Sequence, residues 1–214
     1  IEPIIHELIE RDIQSVAVSL LFSFLHPEHE REISKILKSH KFPVSISSDI
    51  LPEYREYERT STTAVNAYVS PVLDYYLSTL QDNIPNAQLQ VMQSNGGMIS
   101  VTEARLNGVR CILSGPSGGI IGAKYLAELA YSEPLGERTD QEKTKLITFD
   151  MGGTSTDVSL IDSRPSLTKE SSVGGYPIGI PILDIHTIGA GGGSIAYIDQ
   201  GGALRVGPQS AGAD

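Results

Sequence analysis

Cysteine is almost absent from this chain, with Cys111 the only one. That excludes an internal disulfide and a metal cluster built on cysteine, and it fits a reducing, cytoplasmic setting. Basic residues are also scarce, 16 against 26 acidic ones for a net charge of −10. Nucleic acid is thereby excluded as the main partner, because a phosphate backbone needs a basic surface. A local cluster could still hold a nucleotide. No run reaches the roughly 18 apolar residues of a membrane helix, and the longest, SVAVSLLFSFL at 15–25, reads as a buried strand. Low-complexity tracts and strict short repeats are missing too. What remains is 214 residues, 40% of them hydrophobic, enough to bury a core in one large domain or two small ones. The chain opens IEPIIHELIE without a methionine, and we expect it to be a piece of a longer one.

The first part of the chain reads as an α/β layer. Residues 4–12 look like the end of a helix, SVAVSLLFSF like a central strand, and EHEREISKILKSH like a helix with acids early, bases late and Ile33, Ile36 and Leu37 on one face. FPVSISSDI adds a second strand, completing strand–helix–strand. TSTTAVNAYVSPVLDYYLSTL (60–80) predicts a long helix whose apolar face runs through Ala64, Val65, Tyr68, Val69, Val72, Leu73, Tyr76, Leu77 and Leu80, with a kink or break at Pro71. LQVMQS predicts a strand, VRCILSGP an extended segment, and GPSGGIIGAKYLAELA a glycine-rich turn opening a helix to about Ala130. The polar stretch 131–145 suits a linker. Beyond it the pattern is short strands separated by glycine-bearing turns, an antiparallel meander over 146–214.

Chemistry concentrates in FDMGGTSTDVSLI (149–161). Two glycines and three hydroxyl residues stand between Asp150 and Asp157, more than a plain hairpin turn needs. Gly152 and Gly153 let backbone N–H groups approach an anion closely, and Thr154, Ser155 and Thr156 can add hydroxyl donors. Bare carboxylates repel phosphate, so the two acids make sense with a divalent cation between them, and magnesium takes one or two carboxylates while keeping several waters. The competing reading is a solvent-exposed hairpin. HTIGAGGGSIAYID follows, where Gly191, Gly192, Gly193 and Ser194 interrupt two strands as a close approach to a ligand requires. SGPSGGIIGA (114–123) precedes a helix, which suits either an anion at the helix N-terminus or close packing against a sheet. It is neither a Walker A loop nor a dinucleotide fingerprint.

A strand, D-x-G-G-T-x-x-D and a second strand together resemble the phosphate hairpins of the actin, hexokinase and heat-shock chaperone ATPase superfamily. Within it, LPEYREYERTSTTAVNAY, VMQSNGGM, LSGPSGGIIGA, ITFDMGGTSTDVSLI, LDIHTIGAGGGSIAYID and GGALRVGPQSAGAD, in this order, look like the hydantoinase A/5-oxoprolinase family. The resemblance runs from about Ser15 to Asp214. It implies α/β, ribonuclease H-like (actin-like ATPase) lobes. This chain would span the end of one (1–130, with inter-lobe helices), a linker (131–145) and the start of the next (146–214). That family carries a second D-x-G-G-T hairpin, normally nearer the N-terminus, so the chain alone is expected to bind ATP poorly.

The resemblance further implies ATP and Mg²⁺ as cofactors, a small cyclic amide as substrate and a second, B-type subunit or domain as partner, with no nucleic acid and no membrane. In such an enzyme, phosphate transferred onto the amide oxygen activates the carbonyl for attack by water. Gly152, Gly153 and Thr154 would hold phosphate oxygens, Asp150 and Asp157 the metal or a water, and Gly191, Gly192 and Gly193 would cover the phosphates from the facing side. Substrate candidates are Asp184 and His186, which share strand parity and could face the cleft, and Arg55 and Arg59, which could bind a carboxylate; a satisfied histidine and a solvated helix start are the plainer readings. Two other activities stay open: the activating subunit of a ketone carboxylase, and a nucleotide-dependent module of the actin or chaperone kind.

Overall fold

The computed structural model describes residues 1–131 and 145–212, so the expected linker at 131–145 lies almost wholly outside the described residues. In chain order the elements open with α1 (Glu2–Glu10), β1 (Val16–Val18), α2 (Glu28–Ser39), β2 (Val44–Ile46), α3 (Ser47–Ile50) and α4 (Glu56–Asn83). β3 (Gln90–Met92), β4 (Met98–Ser100), α5 (Val101–Leu106), a 3₁₀ turn at Gly108–Cys111 and α6 (Ser114–Tyr131) follow. The strand-rich part comprises β5 (Lys145–Met151), β6 (Thr156–Asp162), β7 (Arg164–Pro165), β8 (Leu167–Thr168), β9 (Ser171–Val173), β10 (Tyr176–Ile178), β11 (Ile182–Leu183), β12 (His186–Ile188), β13 (Ser194–Ile198) and β14 (Leu204–Ser210). Among the described residues no helix is long and apolar enough to cross a membrane.

Two compact units emerge, and their boundary is not the one expected at 131–145. The first unit joins 1–114 to 168–182; the second joins 115–167 to 183–212. The β9–β10 hairpin leaves the strand-rich region because its Ile178 packs with Ile50, Val109, Ile180 and Ile182 in one apolar cluster. The Gly179 amide also donates to Thr62 Oγ1 on α4 at 3.0 Å. α6 belongs to the second unit, where Ile120 packs with Ile161 and Leu183.

In the first unit β1 and β2 pair in parallel, Val16 opposite Val44 and Val18 opposite Ile46, with α2 as the crossover. Ile5, Val18, Leu37 and Ile46 form the core of this layer, each contributing about 1.5–3 kcal/mol by leaving water. The apolar run 15–25 does not continue as a strand: only Val16–Val18 is extended, and Leu21, Phe22 and Leu25 are exposed. The chain is pulled out of the sheet at Leu20, whose amide donates to the buried Glu30 carboxylate at 2.7 Å.

α4 runs on through Pro71 without a break, and its buried face is only partly the predicted one: Leu77 is buried, and Val65 and Leu73 pack against the cores. Tyr68, Val72 and Tyr76 are exposed, whereas Arg59, Thr62, Thr63 and Asn66 are fully buried. The burial is tolerable because nearly every one of these polar groups finds a partner, Arg59 Nε being the exception. Thr62 and Thr63 donate back to the carbonyls of Glu58 and Arg59, and the Asn66 amide group donates to Ser45 Oγ and Leu106 O. Asn66 Oδ1 accepts from Val109 N at 3.0 Å. VRCILSGP is accordingly helical rather than extended, beginning with the 3₁₀ turn. The glycines of SGPSGG lie inside α6 rather than in a turn before it.

Candidate functional site at the paired glycine turns

β6 is the middle strand of the second unit's main sheet, flanked by β5 and β12, both antiparallel. The register sets Asp150 directly opposite Asp157 and Met151 opposite Thr156. On the other side, Thr187 stands opposite Asp157. Side chains directly across such a ladder share a face, so Asp150, Asp157 and Thr187 form one row. Thr187 Oγ1 donates to Asp157 Oδ1 at 2.6 Å. Among the described residues Asp157 Oδ2 and both Asp150 oxygens accept no hydrogen bond. Like charges directly opposite are destabilising, and nothing in the row neutralises them.

The turn between β5 and β6 and the GAGGGS turn before β13 are joined main chain to main chain. Gly192 N donates to Gly152 O at 2.9 Å and Gly193 N to Gly153 O at 2.7 Å. Glycine is required here by space: a Cβ on Gly191 would lie 2.5 Å from Gly152 O, and one on Gly193 3.0 Å from Gly153 O. Thr156, buried, donates to Ala190 O at 2.7 Å, and Gly191 N donates to Ser194 Oγ at 2.7 Å. Gly193 O in turn accepts from Ala211 N at 2.8 Å, which ties the clamp to the end of β14.

This arrangement changes several expected roles. The amides of Gly192 and Gly193 are engaged by carbonyls of the first turn, so they brace the hairpin and are not free to donate to a ligand. The hydroxyls of Thr156 and Ser194 serve the same clamp, and Gly152 N closes the turn onto Ser155 O at 2.9 Å. What the clamp leaves unengaged among the described residues is the tip: the amides of Gly153, Thr154 and Ser155 and the hydroxyls of Thr154 and Ser155. A side chain at 191 would also sit 2.9 Å from Ser155 N, over one of those amides.

Beside the acidic row lies a cleft of about 360 Å³ whose lining includes Gly119, Ile120, Phe149, Asp150, Asp157 and Ile185. α6 runs beside the acidic row at Gly119, where a Cβ would lie 3.8 Å from Asp150 Oδ2, an ordinary contact. Asp184 and His186 do not line this cleft. They lie one residue out of phase with Ile185 and Thr187, and the strand's alternation turns them to the opposite face, where both are exposed. It is the parity of Ile185 and Thr187 that meets Asp157.

Arg59 is not available to a substrate. It is fully buried in the first unit, where Nη1 donates to Glu56 Oε2 at 2.5 Å and Nη2 to Ser47 Oγ at 2.5 Å and to Ser23 Oγ. Glu30 lies beneath it, 4.0 Å from Nη2 and also fully buried. Burial pushes the Glu30 carboxyl up, but hydrogen bonds from Ser47, the Ser48 and Leu20 amides and Ser23 outweigh it and hold the group below its ordinary range. Arg55 is exposed at the start of α4, 3.7 Å from Glu58, with φ 85°.

The donor set suits a hydrated divalent cation: two carboxylates in register, one exposed and one half-buried, with three oxygens unengaged. Among the described residues no group of three or more His, Cys, Asp or Glu converges, so a bound Mg²⁺ would complete its shell with water or phosphate oxygens.

A mixed α/β protein with an acidic hairpin clamped by a second glycine turn is the class these features define. The chain belongs to the hydantoinase/oxoprolinase family: the Hydantoinase/oxoprolinase model matches residues 59–214 and that of the Hydantoinase/oxoprolinase N-terminal region matches 1–41. It is 39% identical to 5-oxoprolinase 1 of Arabidopsis thaliana, covering 100% of this chain and 16% of that protein. It is 38% identical to caprolactamase subunit alpha of Pseudomonas jessenii, covering 96% of this chain and 29% of that one. The crystal structure of the ATP-dependent caprolactamase of that organism aligns over 99% of this chain and 31% of its own, with a TM-score of 0.81 and 35% identity. The nucleotide-free structure of acetone carboxylase, from work on ATP-dependent acetone carboxylation, aligns over 97% of this chain and 29% of its own, with a TM-score of 0.72 and 32% identity. The chain thus spans less than a third of the length of each.

Proposed function

We propose that this chain supplies part of the ATP site of an enzyme that opens a cyclic amide, built on ribonuclease H-like lobes of the actin-ATPase kind. The observation that carries the reading is the hairpin tip, three consecutive amides engaged by no acceptor among the described residues, next to two carboxylates in register. Phosphate oxygens accept from the Gly153, Thr154 and Ser155 amides and from the Thr154 and Ser155 hydroxyls. Asp150 and Asp157 hold Mg²⁺, which when bound offsets the charge that develops on the transferred phosphoryl group. Gly191, Gly192, Gly193, Thr156 and Ser194 keep the turn in shape, so that its donors need no reorganisation at the moment of transfer.

The chemistry follows from the weakness of an unstrained amide as an electrophile. The bond from the γ-phosphorus to ADP breaks and a bond to the amide oxygen forms. Water then adds to the carbon, the C–N bond breaks with a proton passing to nitrogen, and the resulting acyl phosphate loses phosphate to a second water. Likeness to 5-oxoprolinase and caprolactamase supports a cyclic-amide substrate. The name of the second, a subunit alpha, supports a further subunit as partner. Likeness to acetone carboxylase favours a second reading, in which ATP activates a ketone for carboxylation.

ADP release by the intact parent protein with its partner, measured with 5-oxoproline, hydantoins, caprolactam or acetone, tests both. Stimulation by a cyclic amide is the expected result. Stimulation by acetone alone selects the second reading, and stimulation by none of them sinks both.

A further inference from the structure

Resting on that reading, we propose that Thr187 is a positioning residue for the metal site, fixing which oxygen of Asp157 faces the cation. Its hydroxyl donates to Asp157 Oδ1 at 2.6 Å from the strand directly across. A carboxylate on a strand can rotate about its last bond, presenting either oxygen to a ligand at its side. Thr187 stands on the β12 side of Asp157 and Asp150 on the β5 side. A bond to Oδ1 from the one side leaves Oδ2 as the oxygen not committed to protein, and Asp150 is the other acid of the row. The pair therefore meets a cation with one oriented carboxylate rather than two rotating ones.

Thr187 is itself held. β12 is fixed to β6 by the ladder from His186–Val158 to Ile188–Thr156, and Thr156 in turn binds Ala190 O two residues beyond β12. The same strand that orients Asp157 thus runs directly into the glycine clamp. Threonine fits both demands, a β-branched residue suited to a strand and a hydroxyl within reach of the neighbour.

Mn²⁺ alone, titrated into the nucleotide-free full-length protein and followed by the electron paramagnetic resonance of the free ion, tests the assignment. Loss of an outer-shell hydrogen bond to a metal ligand typically weakens binding about 10–100-fold, and that is the effect expected of Thr187→Val, which keeps shape and removes the donor. Thr187→Ser, which restores the hydroxyl, should return the affinity to within about threefold of the parent on the same scale. Equal Mn²⁺ affinity in Thr187→Val and parent, with binding lost in Asp157→Asn, would overturn the role of Thr187 and leave the metal reading standing. Mn²⁺ binding that is absent in the parent, or untouched by Asp157→Asn, would overturn the metal reading and this assignment with it. Failure of Thr187→Ser to restore binding would show the strand's packing, not the hydroxyl, to be at work.

Discussion

Each unit holds a set of charged groups, and the two sets are built on opposite terms. In the first, Arg59 and Glu30 are wholly buried, and the carboxylate accepts from two hydroxyls and two amides. In the second, Asp150 and Asp157 stand directly opposite each other, and three of their four oxygens accept nothing among the described residues. A buried charge must be satisfied by the fold itself, because no water is at hand to do it. The Asp150–Asp157 pair, one exposed and one half-buried, stands instead on the two strands of a clamped hairpin, within reach of water. Burial and hydrogen bonding, not the mere presence of acids and arginines, distinguish the two sets.

Substitutions can break that contrast. The largest effect is expected on turnover. Asp157→Asn in the intact protein should lower ATP turnover by about 10²–10³-fold, the scale of losing a charge-stabilising group, with an unchanged circular dichroism spectrum; near-normal turnover would return the hairpin to an ordinary turn. Arg59→Ala should act on folding instead. Leaving Glu30 buried without its counter-charge costs about 3–5 kcal/mol, read as a fall in the urea midpoint of the unit that carries it. An effect on substrate KM without loss of stability would restore Arg59 as a substrate residue.

Gly191→Ala mixes the two classes. Its Cβ would lie 2.5 Å from Gly152 O and must push the turns apart, costing about 1–3 kcal/mol as overpacking while weakening nucleotide binding by isothermal titration. The smallest effect is a pH dependence. Glu30 has a folded pKa below its ordinary value of 4.5, so the folded state binds its proton less tightly than the unfolded one. Its contribution is present above the unfolded pKa and is lost as pH falls through the folded value. Thermal melts from pH 6 downward should show a drop below about pH 4.5 that Glu30→Gln removes.

Much of this was legible from residue order, for reasons that also explain what was not. The β5–β6 hairpin and the strand–helix–strand opening follow from local period, and period is a property of neighbours along the chain. Arg59 looked like a surface charge because its partners Ser23, Glu30 and Ser47 are far away in sequence, and no local pattern announces a buried ion pair. The apolar run at 15–25 misled for the same reason, since Glu30 draws Leu20 out of the strand. At the site, Asp150, Asp157 and both glycine turns were visible as motifs. Thr187 was not, although pairing β12 with β6 in register would have found it opposite Asp157 and would have turned His186 away.

The clamp of main chain on main chain also makes the hairpin a natural reporter. Amide protons of Gly152, Gly192 and Gly193 are locked in hydrogen bonds, and those of Gly153, Thr154 and Ser155 are not. In deuterium exchange the first three should be slow and the tip fast, within a stretch only a few residues long. A phosphate seated on the tip would erase that difference, so occupancy could be followed one backbone proton at a time, with no label and no turnover.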